Sequence, residues 1–154
     1  MGVQDDFDDL KGRAPTGRVL KNVDEVVAII QGGSAEVIRK LQLRALQTLQ
    51  SATPVDTGHA RSAWTPSVGS PVEERLDRPA NEVDAKSSAS GRLSENRAKA
   101  EAIADSYLLP QGTVFISNNV PYVIFLDQGS SSQAPSNFIE RALVAAIVSV
   151  EKSS

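Results

Sequence analysis

Between Ser34 and Val68 the chain changes its hydrophobic period within a few residues, and this dictates a helix, a tight reversal and a strand, in that order. Ile38, Leu41, Ala45, Leu46 and Leu49 recur at three- and four-residue spacing, with Val37 at the edge of the stripe. Arg39, Lys40, Gln42, Arg44 and Gln47 fall mostly on the other side. Ser34 is placed to cap the helix, which the pattern carries to about Ala52. Pro54 ends it, because its ring and missing N–H cannot continue a helical ladder. Asp56-Thr57-Gly58 then reads as a turn, and Ser62 to Val68 alternates loosely as a strand with Trp64, the only tryptophan, on its inner face.

The turn has two chemical readings. As a brace, Asp56 accepts hydrogen bonds from the backbone N–H groups of Gly58 and His59, while Gly58 supplies a backbone angle that other residues resist. As an acid, the same Asp-Thr-Gly is the signature of retroviral-type aspartic proteases, in which two chains each donate an Asp56 and the paired carboxylates share a proton. That loop needs strands on both sides, and here a helix ends just before it. A second strand ending in Leu-Gly or Ile-Gly, which supports such a loop, is missing. The brace is therefore preferred and no catalytic residue is assigned, with the dimeric protease as the alternative.

Other chemistry is thin. His59 is the lone histidine, with no spacing that makes a metal set or a triad, and reads as a surface or helix-start residue. Arg61 is near enough in sequence to pair with Asp56 or with a neighbour's acid. Neither a phosphate loop nor a Gly-x-Ser-x-Gly elbow occurs, and no metal or cofactor is expected. Asp127, before Gln128-Gly129-Ser130, closes an apolar segment where a carboxylate must find partners or stay wet. It lacks a companion for base catalysis and is an ordinary turn former before glycine.

The rest of the chain is organised around these two turns. At 154 residues it fits one domain able to bury a core without staples, and it has no cysteine. A net charge of -3 argues against a protein that grips phosphates, though not against one that encloses DNA without holding it. No apolar run approaches ~18 residues, so no membrane span is expected. The amino terminus lacks a basic segment followed by an apolar one, so the chain is expected to stay in the cytoplasm.

Residues 1–22 read as a flexible arm, disordered or ordering against a neighbouring subunit, ahead of a domain over 23–154. Asp24 is placed to cap a short helix through Ile30, ended by Gly32-Gly33. Residues 69–93 read as a long polar insert, a loop or extended hairpin, whose basic residues are solvated or contact DNA or a charged partner. Ser94 is expected to cap a helix through about Leu108, with Ala98, Ala102, Ile103 and Tyr107 on its apolar face. Thr113–Ser117 reads as a strand and Asn118-Asn119 as a turn, while Tyr122–Asp127 is open between strand and short helix. Ser136 is expected to cap the last helix. Its broad apolar face, widened by Ala145, Val148 and Val150, is either central in the fold or shared with another subunit. Leu43, off the first helix's stripe, joins Ala145 and Val148 as a candidate interface residue.

The order of the two blocks carries a resemblance. An amphipathic helix precedes Pro54, Asp56, Thr57, Gly58 and Arg61, with Trp64 in the strand behind. Later come Asn119, Pro121, Tyr122, Asp127, Gly129, Ser130, Pro135, Phe138, Ala142 and Leu143. This arrangement, over about half the chain, resembles the tail-completion (head–tail joining, neck) proteins of long-tailed bacteriophages, similar to the minor tail protein Z family of lambda-like phages. The family often has Glu where Asp127 stands, its smaller relatives have a shorter insert, and the arm lies outside its pattern. The resemblance implies an α+β fold, a small antiparallel sheet packed against long amphipathic helices. It also implies a structural protein of the virion, not an enzyme: six copies in a ring at the head–tail junction, meeting the head connector on the portal side and the tail tube or tail terminator on the other. DNA would pass through the lumen without specific binding, and assembly would take place in the host cytoplasm.

Overall fold

The computed structural model describes residues 15–21, 25–55, 58–130 and 136–153. Four strands form one antiparallel sheet, β1 (Thr16–Lys21), β2 (Val26–Gln31), β3 (Thr65–Val68) and β4 (Val114–Asn118), in the order β1-β2-β4-β3. The helices are α1 (Ala35–Ala52), α2 (His59–Ser62), α3 (Glu82–Ser106), α4 (Val123–Phe125) and α5 (Phe138–Ser153). A 3-10 turn at Leu109–Gln111 precedes β4, and a π-type turn at Leu126–Ser130 follows α4. The fold is α+β, a small antiparallel sheet with long helices packed on it.

The first long helix forms where its pattern dictates. Ser34 Oγ accepts from Val37 N at 3.3 Å, and Thr53 closes the last turn through its backbone N–H to Leu49 O. Ile38, Leu41, Ala45, Leu46 and Leu49 pack against Val26, Ala28, Ile30, Val114 and Ile116, one face of the central strands. α1 lies between α5 on one flank and α3 on the other. Gln42, expected to face solvent, is instead fully buried, with its amide nitrogen donating 2.7 Å to Ala100 O of α3.

Three expectations are corrected. Residues 16–21 of the anticipated flexible arm are strand β1, paired residue for residue with β2 from Thr16↔Gln31 to Lys21↔Val26; residues 1–14 lie outside the described residues. β1 crosses α5 so closely that a Cβ on Gly17 would sit 2.5 Å from Leu143 Cδ2. The segment Val26–Ile30, expected as a short helix capped by Asp24, is strand β2, flanked on both sides and buried on both faces, which removes the alternation that marks a strand in sequence.

The polar insert is the third. Residues 82–93 are the first half of α3, so the unstructured stretch spans only 69–81 and the helix does not begin at Ser94. Asn81 caps it, its Oδ1 accepting from Val83 N at 2.7 Å. Ser87, Ser88, Ser90 and Gly91 are poor helix formers. Tertiary packing compensates: Ala85, Ala89, Asn96 and Ala100 form the buried stripe, and Ala98 and Ala102 are exposed. At the close approach a Cβ built on Gly58 would lie 3.4 Å from Ala89 Cβ.

Candidate functional site

The two blocks that carry the resemblance meet at one corner of the fold. Asn118, fully buried at the end of β4, donates from Nδ2 to Ala60 O of α2 at 2.9 Å, and its Oδ1 takes Val120 N at 3.1 Å. The rings of His59 and Tyr122 lie with centroids 6.4 Å apart. Pro54 and Pro121 are half-buried, and Gly58, at φ +88°, starts α2 in the left-handed region that glycine adopts without strain. Asp56, Thr57 and Pro135 lie outside the described residues.

His59 begins α2 as expected but is not on the surface; it is 1% exposed. Nε2 lies 3.3 Å from Leu76 O, and Arg92 Nη1 lies 3.3 Å from Nδ1. Only one neutral tautomer serves both contacts: Nε2–H donates to the carbonyl, and Nδ1 accepts from the guanidinium. Burial pushes the imidazole below its ordinary range, outweighing the Leu76 bond, which acts upward. Arg92 and Arg78 reinforce the downward shift, against Asp77. Arg92 also donates to Ser62 Oγ at 3.0 Å, and Asn96 Nδ2 to Ser62 O at 2.9 Å. His59 is thus a neutral clasp holding the 70–81 segment and α3 to α2.

A pH dependence follows. The unfolded chain protonates its histidine near 6.5 and the folded chain only at a lower pH. The contribution of His59 is therefore complete above about pH 7.5 and lost as pH falls through 6.5 toward the folded value. As pH falls from about 7.5 to about 5.5, the melting temperature of the native chain should drop, and that of His59→Gln should change less. Parallel slopes for the two proteins would contradict the assignment.

Trp64 is fully buried, in the turn just before β3 and not within the strand as expected. Its Nε1 donates to Thr53 Oγ1 at 2.8 Å. Arg61 Nε is buried without a hydrogen-bond partner among the described residues.

The far end of the second block does different work. Asp127 is 2% exposed, and its Oδ1 accepts from Ile139 N in the first turn of α5 at 3.0 Å. Oδ2 meets Lys21 Nζ of β1 at 2.5 Å, and its carbonyl accepts from Asn137 N at 2.7 Å. Asp127, and not Ser136, is therefore the side chain that caps α5; Ser136 Oγ donates instead to Gln128 O at 3.4 Å. Gly129 lies within the π-type turn. Phe138 is buried at the start of that helix.

The candidate interface residues divide. Val148 is 40% exposed and stands one turn from Val144, 57% exposed, with Ala145 exposed beside them. Leu43 is half-buried against the core. Sequence reasoning missed Lys21, placed in the arm, and the pairing of His59 with Arg92, 33 residues away. No local spacing signals either. Among the described residues no group of three His, Cys, Asp or Glu side chains is gathered for a metal, and no helix is long and apolar enough to cross a membrane. No family model, curated protein or solved structure matches this chain.

Proposed function

We propose that this chain is a structural subunit of a long-tailed phage virion, forming a ring at the head–tail junction that completes the tail and joins it to the head connector around the DNA channel. The observation that carries this reading is the meeting of the two motif blocks at the Asn118–Ala60 bond and the His59–Tyr122 contact. Residues far apart in sequence are tied together there. The exposed Val144–Val148 stripe on α5 supplies an apolar patch for a neighbouring copy, and closed rings arise when one patch meets a different patch on the next copy. Six copies follow the resemblance, as do the head connector and the tail tube or terminator as partners. The virion is the final location, after assembly in the host cytoplasm.

Val148→Glu tests the ring directly. The side chain is exposed, so the variant should fold with an unchanged melting temperature yet leave tails unable to join heads, scored by electron microscopy of lysates. Normal particle yield from Val148→Glu together with Val144→Glu, or absence of the protein from purified virions, would sink the reading. The dimeric aspartic protease needs strands on both sides of Asp56, whereas α1 ends at Ala52 and α2 starts at His59. Loss of pepstatin-sensitive cleavage in Asp56→Asn would favour the protease; an assembly defect without any such cleavage favours the ring.

A further inference from the structure

We propose that the cavity between α3, the 72–76 segment and the β3–β4 side of the sheet is a recognition pocket for a carboxylate borne on a peptide, with Arg92 as the anchoring guanidinium. The cavity measures about 250 Å³. Arg92, Asn96 and Lys99 enter it from one face of α3, at the i, i+4, i+7 spacing that aligns side chains along a helix.

Arg92 is half-buried, and its hydrogen bonds go to neutral acceptors, His59 Nδ1 and Ser62 Oγ. Among the described residues no carboxylate lies within ion-pair distance of it. Burial pushes the guanidinium below its ordinary range, with Glu95 opposing more weakly, as befits a cation without a close counter-ion. The planar fork of an arginine matches a carboxylate in two parallel bonds. Lys99, tied loosely to Glu95 at 3.7 Å, adds a second positive charge two turns further along.

Asn119, on the opposite wall, is 6% exposed, and its Nδ2 donates to Val72 O at 2.8 Å and Glu74 O at 2.9 Å, which fixes the 72–74 backbone beside the cavity. Glu74 and Glu95 line the cavity together with Arg92 and Lys99, so two acids there disfavour phosphate or any dianion. A single carboxylate matches the Arg92 fork, and those acids accept from the backbone N–H groups on either side of it, as in an aspartate within a peptide. Such a pocket is independent of ring formation.

The test is a two-dimensional NMR titration of the full chain, following the side-chain amides of Asn96 and Asn119. The probes are acetyl-Gly-Asp-Gly-amide, the same peptide with Asn for Asp, and sodium acetate. The Asp peptide should shift those amides, with the Asn peptide and acetate each roughly tenfold weaker or worse, the loss expected for one charge-assisted bond. Arg92→Lys should weaken the Asp peptide. Because Arg92 also touches His59 and Ser62, Lys99→Gln provides a second variant whose charge loss leaves the body of the fold intact and should weaken the same peptide by a smaller factor. Equal binding of the Asp and Asn peptides, or shifts indifferent to both variants, would overturn the pocket. Acetate binding as tightly as the Asp peptide would overturn the peptide assignment.

Discussion

Replacing Asp127 with alanine is expected to lower stability by about 3 kcal/mol, because one change removes two constraints at a buried point. It strips the cap from α5 at Ile139 N and leaves Lys21 without the carboxylate it meets in β1. Lys21 keeps a side-chain exposure of 26% and can turn to water, which holds the loss at the low end for a broken buried pair. Asp127→Asn retains an oxygen for the cap and should cost roughly half as much. Lys21→Met, which leaves the cap intact, should also cost less than Asp127→Ala. Urea unfolding followed by circular dichroism gives the ranking. Equal losses for Asp127→Ala and Asp127→Asn would mean that the cap contributes nothing.

Trp64→Ala should cost more, about 3 to 5 kcal/mol, the usual range for emptying a fully buried aromatic site. The indole is 0% exposed and bonds to Thr53, the residue that closes α1. The Thr53 hydroxyl in turn donates to Leu49 O at 2.6 Å, so the tryptophan, the turn and the helix end form one hydrogen-bonded chain. Against a typical total of about 5 to 15 kcal/mol, the variant should sit near its unfolding midpoint at moderate urea. Trp64→Phe keeps most of the bulk and loses the indole donor, so it should cost only about 1 to 2 kcal/mol. A Trp64→Ala protein as stable as the Phe variant would refute the account of the site.

Both residues show how the sequence can be read only in part. Trp64 is legible as a core residue because a lone tryptophan behind a turn has few other uses. Its partner is not, since Thr53 could as well have been a solvated end of α1. Asp127 is legible as a carboxylate in need of partners. That those partners are Lys21, 106 residues away, and the first turn of α5 depends on the crossing of β1 over that helix.

His59 fails for the same reason. Nothing near it in sequence marks it as buried; Leu76 and Arg92 reach it from segments read as a polar insert. Residues 82–93 looked too rich in serine and too poor in large apolar side chains to order themselves. They do so because alanines are what a helix needs when it packs closely, as Ala89 does above Gly58.

Ser34, the stripe from Ile38 to Leu49, and Pro54 were enough on their own to specify α1, since cap, period and stop are local properties that act over a few residues. Likewise the β-rich run at Val114–Ser117 needed no outside help to declare a strand. The conformation of Val26–Ile30, the pairing of β1, the extent of α3 and the distant partners of Gln42, His59, Asn96 and Asp127 were decided by tertiary contact alone. An apolar run satisfies helix and strand equally until neighbouring strands claim its backbone, and a buried charge or imidazole is stable only once distant chain supplies its counterpart.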